Sequence, residues 1–217
     1  MNPRLRSAVR SAVLTVNTPL ARGRAARAIR KADRPAKLEI GGLEARPGWL
    51  VTNVNAVTRN YLDATRSWPM EDNSLEVVYA DNVIEHITLE QGRVMLAEAY
   101  RCLQPGGVIR LVTPDLRKHV ELYLSGTEAV DGTVGSFYRG LGLVVEHPVD
   151  LVRIPIASFG HHVGYLYDFE ALAVELRRAG FAQPAEYSLG DSSHAALKDL
   201  DQRTDEGGAQ MAVEATR

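Results

Sequence analysis

At 217 residues, with 45% hydrophobic and 24% charged side chains, the chain has the make-up of one globular domain with a proper core. Its single cysteine, Cys102, excludes an internal disulfide and with it a secreted disulfide scaffold, so a cytoplasmic setting is expected. No uninterrupted apolar run approaches the roughly 18 residues that would span a bilayer. The net charge of −2 hides an uneven distribution. Residues 1–34 carry nine basic side chains against one acid, Asp33, while the remaining body holds 16 basic and 26 acidic residues. A body that acidic binds nucleic acid poorly, so no specific nucleic-acid partner is expected.

The basic arm, residues 1–36, places Leu5, Val9 and Val13 at four-residue intervals among arginines, the spacing of an amphipathic helix. It lacks the compact apolar stretch of a signal peptide. The expected helix lies on the domain or on a second subunit, in a homodimer; peripheral contact with an anionic membrane is the alternative.

From residue 37 to the end, strands and helices alternate. Lys37–Ile40 reads as a first strand ending at Gly41-Gly42, Gly48–Val54 as a second, and Leu75–Tyr79 as a third after the Asn73-Ser74 turn. Leu89–Leu103 has helical spacing and stops at Gln104-Pro105-Gly106-Gly107, a strong breaker, before a strand over Val108–Val112. Asp168 is placed to cap a helix that Gly180 closes, and two further strands follow at Ala185–Leu189 and Gln210–Ala215. The alternation predicts an α/β fold with a mostly parallel sheet covered on both faces. Residues 117–165 fit the alternation poorly and read as an insertion on the substrate side.

A glycine turn directly after a first strand lets backbone approach a ligand closely, although Gly41-Gly42 alone is a weak signal. The later run is more specific. Pro69-Met70-Glu71-Asp72-Asn73-Ser74-Leu75-Glu76 leads into a strand and the pair Glu85-His86, then a helix, then Arg101-Cys102-Leu103-Gln104-Pro105-Gly106-Gly107 before another strand. This order resembles the type 11 branch of class I methyltransferases, which take their methyl group from S-adenosylmethionine (SAM). The resemblance covers residues 37–217 and implies a Rossmann-like, doubly wound sheet.

It also implies a donor site. Glu39, Gly41 and Gly42 fall where the family holds the methionine end of SAM, Asp63 and Ala64 where it holds adenine, and Asp81 and Asn82 beneath the sulfonium. Two departures stand out: Leu43 replaces a second glycine, and Asn53 and Asn55 stand near the position of an acidic residue for the ribose, so Asn53 is the ribose candidate. The segment GGLEARPGWLVTNVN, with the Arg-rich arm, is similar to actinobacterial O-methyltransferases of methylated mannose polysaccharides.

Methyl transfer is an in-line displacement that needs alignment, and a base if a hydroxyl must lose its proton. Four of the six histidines, His119, His147, His161 and His162, fall in the insertion. His147, stiffened by Pro148, is the first candidate base, and His86 is the second. Asp115, His161 and His162 are candidate ligands if a metal such as Mg²⁺ takes part. The expected activity is O-methylation of a small polar acceptor, most plausibly a sugar or oligosaccharide. The rivals are a C- or N-methyltransferase of a quinone or polyketide-like molecule and a degenerate scaffold that binds no SAM.

Overall fold

The computed structural model describes residues 3–31, 36–55, 57–201 and 209–217. Six strands form one sheet: β1 (Ala36–Ile40), β2 (Trp49–Thr52), β3 (Leu75–Asp81), β4 (Leu103–Pro114), β5 (Ala182–Tyr187) and β6 (Gln210–Thr216), in the order β2-β1-β3-β4-β6-β5. Strands β1 to β4 run parallel, and β6 is antiparallel to both of its neighbours. The chain winds from β1 outward in both directions, so the α/β, doubly wound, mostly parallel sheet read from the sequence is the fold observed.

Alternate residues of each strand serve two different cores. Leu38, Ile40, Val78, Ala80, Ile109 and Leu111 face the larger one. There they meet α2 (Leu89–Cys102), α7 (Phe169–Ala179) and the end of α1 (Pro3–Lys31). Helix α2 begins with a reciprocal capping box, Thr88 with Gln91, and α7 is capped by Asp168 and closed by Gly180 in the left-handed region, as its sequence predicts. Val77, Tyr79 and Val112 point to the opposite face, where they pack against Leu197 and its neighbours.

The eight residues from Gly41 to Gly48 join β1 to β2 with no helix, and the described residues of 53–74 between β2 and β3 likewise form none. Parallel neighbours ordinarily need a crossover of a dozen or more residues, usually helical. Here β2 is four residues long, so an extended loop spans the return. The arm supplies cover near this edge. Ala21, Ala25 and Ile29 of α1 are buried, Asn17 and Arg24 bond the carbonyls of Thr58 and Arg59, and Tyr61 donates its N–H to the Ala21 carbonyl. The side chains of Leu5 and Val9 lie outside the described residues, as do residues 32–35 next to the expected arm boundary. Among the described residues no helix is long and apolar enough to cross a membrane.

Between β4 and α7 the insertion forms α3 (Leu116–Leu124), α4 (Thr127–Asp131), α5 (Thr133–Gly140) and α6 (Asp150–Ala157). It has a small core of its own, built on Val130, Val134, Tyr138, Leu151 and Ile154. The β4 strand begins at Leu103, earlier than Val108–Val112 implies. The Pro-Gly-Gly run is accommodated inside the strand, where the β3–β4 register shifts and Gly106 and Gly107 bond Arg217 backbone.

Arg110 is fully buried on the face of the sheet away from the helices. Its guanidinium reaches Glu214 Oε1 at 2.6 Å and Asp201 Oδ2 at 2.7 Å, and donates to the carbonyls of Asp191 and Ser188. Removing one member of such a group leaves buried charge uncompensated, so Arg110→Ala is expected to cost about 3–5 kcal/mol in chemical denaturation. The Tyr167 hydroxyl is the opposite case: it is buried with no hydrogen-bond partner among the described residues. Tyr167→Phe removes an unsatisfied polar atom, and its thermal midpoint should equal or exceed that of the parent.

Candidate functional site

In an open α/β sheet the strand order reverses at one point, and a crevice opens there beyond the carboxyl ends of the strands. Here the reversal lies at β1, between Gly41 after β1 and Asp81 at the end of β3. Gly41 takes a left-handed backbone (φ 83°), and its N–H bonds the Thr52 carbonyl at 2.8 Å. A Cβ on Gly42 would stand 2.5 Å from Val51 Cγ1 and 2.7 Å from Glu39 Oε1, so any side chain there must push Val51 and the Glu39 carboxylate aside. The turn is braced from below by Asn53, whose amide donates to the carbonyls of Gly41 (2.7 Å) and Gly42 (3.2 Å).

A cleft of about 550 Å³ lies over this turn, lined by residues 39–47 together with Asp81 and Asn82. Glu39 is nearly buried and accepts from Arg46 Nε at 2.8 Å. That carboxylate raises the pKa of Arg46 further, so the guanidinium stays charged. Asp81 accepts from the Tyr79 hydroxyl at 3.0 Å. Asn82 then takes a left-handed backbone (φ 48°), a conformation asparagine tolerates, and donates its N–H to the Val112 carbonyl. A second cleft, of about 720 Å³, shares residues 42–45 and is walled by Arg24, Arg27 and Lys31 of α1 and by Asn55 and Arg59.

Asn82 also lines a smaller pocket of about 230 Å³ under the insertion, with His86, His119, Phe137, Tyr138, Phe159, His161 and Gln210. His119 bonds the Leu151 carbonyl through Nδ1 at 3.0 Å, which leaves Nε2 as the acceptor nitrogen, and burial pushes its pKa down to about 4. The Tyr138 ring stacks nearly parallel on it, 6.4 Å between centroids. His161 likewise bonds the Pro155 carbonyl through Nδ1 at 2.7 Å, and burial lowers its pKa. His86 is lowered by burial and by His161, whose ring lies 4.7 Å away.

The structure thus brings together Glu39, Gly41, Gly42, Asp81 and Asn82 around one cleft, with Asn53 as its support. Asp63 opens instead onto a separate cleft of about 460 Å³ against Arg22 and Tyr61. Its carboxylate caps Thr65 and pairs with Arg66 at 3.1 Å, while Ala64 is buried in the main core. His147 is exposed in the turn before α6, where its backbone N–H bonds Asp150, and it does not line the pocket beside Asn82.

The trio Asp115, His161 and His162 is not gathered. Asp115 caps α3 by accepting from the Arg117 N–H, and His162 is exposed. Among the described residues the grouping of potential metal ligands is Glu85, His86 and His161, whose donor atoms lie within 4.8 Å of one another. Sequence reasoning did not single out Arg46 or assign a role to His119. Arg46 lies in a loop whose course no periodicity fixes. His119 sits on an insertion helix whose packing against α6 decides which way it faces.

Residues 23–111, about two fifths of the chain, match the type 11 methyltransferase-domain family. No curated protein matches the chain in sequence. Among solved structures, the chain is similar to a SAM-dependent methyltransferase of Thermotoga maritima, described as a possible histamine N-methyltransferase. That likeness has 16% identity, 94% of this chain and 91% of that one covered, and a TM-score of 0.46. A SAM-dependent methyltransferase of Archaeoglobus fulgidus gives 15% identity, 98% and 94% coverage and a TM-score of 0.48. Phosphoethanolamine N-methyltransferase 2 of Haemonchus contortus gives 17% identity and a TM-score of 0.46, with 84% of this chain covered, which spans 48% of that enzyme.

Because a Cβ at Gly42 meets both Val51 and Glu39, Gly42→Ala should displace the Glu39–Arg46 pair and lower the thermal midpoint. An unchanged midpoint would show that the turn is loosely packed. The strand order is that of a Rossmann-like α/β fold, and within it residues 23–111 match the methyltransferase-domain family.

Proposed function

We propose that this protein transfers a methyl group from SAM to a hydroxyl of a sugar-sized polar acceptor. The observation that carries the reading is the position of Asn82, which lines both the cleft over the glycine turn and the histidine-rich pocket. Two ligands held in these spaces would meet at one residue, the proximity that a bimolecular displacement requires.

The residues present fit the donor. The cleft volume lies in the range of small-molecule sites, roughly 300–1,000 Å³. Arg46 suits a carboxylate and Glu39 with Asp81 an ammonium, which are the two charges of an amino-acid end. The cleft shared through residues 42–45 extends this space toward Asn55, where a nucleoside would lie. SAM supplies, when bound, a methyl group on a positively charged sulfur. The rest falls to the chain: Gly41 and Gly42 admit the ligand to the backbone, and Asn82 forms the floor between the two spaces.

On the acceptor side, Phe137, Tyr138 and Phe159 offer apolar ring surfaces of the kind sugars stack on, and the imidazoles offer hydrogen bonds. His119 is the base in this reading, because the bond from Nδ1 to Leu151 leaves Nε2 to receive the hydroxyl proton. His86 forms the wall next to Asn82. An oligosaccharide acceptor would leave the pocket past the exposed Leu141 and Phe159.

Calorimetry with SAM and with S-adenosylhomocysteine tests the donor half. Binding of both is expected, with Arg46→Ala weakening it by about 1–3 kcal/mol, the worth of a charge-assisted hydrogen bond. Absence of binding would make the chain a scaffold. For the acceptor half, a panel of sugars and quinones is assayed for methyl transfer. With a sugar substrate, His119→Gln should lower kcat by roughly 10²–10⁴ and leave S-adenosylhomocysteine affinity unchanged, while His147→Ala stays near the parent rate. The reverse ranking would place the base in the turn before α6.

A further inference from the structure

We propose that Glu85, His86 and His161 form a binding site for a first-row divalent transition ion, of which Zn²⁺ is the representative, on the inner wall of the acceptor pocket. The donor atoms of these three side chains already lie within 4.8 Å of one another. Bonds of about 2.0–2.2 Å to zinc allow two donors to stand at most about 4 Å apart. Closing the remaining gap needs a small movement of the exposed His86 side chain, whose ring already stands 4.7 Å from that of His161.

The surroundings orient the ligands as metal sites require. His161 donates its Nδ1 proton to the Pro155 carbonyl at 2.7 Å, so Nε2 carries the lone pair, and that nitrogen faces Glu85 Oε1 at 4.0 Å. The other oxygen of Glu85 accepts from the Thr113 hydroxyl at 3.1 Å. Carbonyls and hydroxyls behind the ligands are what fix tautomer and ring orientation in such sites.

The backbone is built for the same approach. A Cβ at Gly164 would lie 1.8 Å from the Glu85 carbonyl oxygen, so only glycine lets the segment bearing His161 press against Glu85 and His86. Two imidazoles with one carboxylate suit zinc, iron or cobalt, whereas Mg²⁺ prefers all-oxygen ligands.

Three protein ligands leave a coordination position open, and both histidines line the acceptor pocket. The consequence for catalysis rests on the methyl-transfer reading above; the binding site does not. An acceptor hydroxyl on the ion is made more acidic and gives its proton to His119 Nε2. The oxygen lone pair then forms the new bond to the methyl carbon as the carbon–sulfur pair returns to sulfur, yielding the methyl ether and S-adenosylhomocysteine.

The test uses the full-length chain, treated with a chelator, dialysed, and titrated with Co²⁺ in the absence of donor and acceptor. Expected are one equivalent of Co²⁺ with a visible absorption band, displacement by Zn²⁺, and no displacement by millimolar Mg²⁺. His86→Gln and His161→Gln should each weaken Co²⁺ at least tenfold, and His162→Gln and Asp115→Asn should not. His86 is exposed, so its variant remains informative should the His161 variant fold poorly. Lack of a band, or equal Co²⁺ affinity in His86→Gln and the parent, overturns the site. Because no methyl transfer is measured, failure of the metal site and failure of the proposed activity are read separately.

Discussion

A fully buried guanidinium holds together the face of the sheet opposite helices α2 and α7. Arg110 stands in the middle of β4, and its two carboxylate partners come from different parts of the chain: Glu214 lies beside it on β6 and Asp201 at the end of the segment that follows β5. Through Asp201 and the carbonyls of Ser188 and Asp191 it ties residues 188–201 down over Tyr79 and Val112. A hydrophobic segment of similar size would cover that face too, but would not fix its register. The fixed register matters because Glu39, Tyr79 and Asp81 lie on this side, and Glu39 and Asp81 line the cleft over the glycine turn.

The second constraint is that, among the described residues, no helix interrupts the connections after β1 and β2. Eight residues with no helix carry the chain from Gly41 to Gly48, so the loop itself, rather than a helix, forms one wall of the cleft. Arg46, midway along it, is locked onto Glu39 and lies over the Trp49 ring at 5.9 Å. The N-terminal helix then completes the edge near β2, which makes the arm part of the body over Ala21 to Ile29 and brings its cations to the mouth of a cleft. The composition shift that marks the arm as separate is therefore a shift in chemistry and not in packing.

The insertion has a similar double character. Its helices enclose a small core of their own, yet the faces they turn toward β3 and β4 carry His119, Tyr138 and His161. Burial there lowers the pKa of His119 and His161 and so favours their neutral forms, which suits coordination. Cys102, by contrast, lies in the main core, where burial pushes its thiol up to about 12 and makes it inert packing.

The sequence by itself determined the strand–helix order, the caps at Asp168 and Gly180 and the glycine turn. These are local properties: the period of apolar residues, a carboxylate at a helix start, a glycine where φ is positive. The sequence also marked residues 117–165 as an insertion, because they break the alternation. Which histidines face the pocket was settled by tertiary packing alone. The sequence favours His147, but the packing of α3 on α6 buries His119 beside the pocket while the turn before α6 exposes His147. The same holds for Asn53 and Asp63: their chemistry suits a ligand, but backbone carbonyls, a threonine and an arginine reach them first. Local patterns fix elements; a shared site depends on distances between residues far apart in the chain, and only the folded sheet sets those.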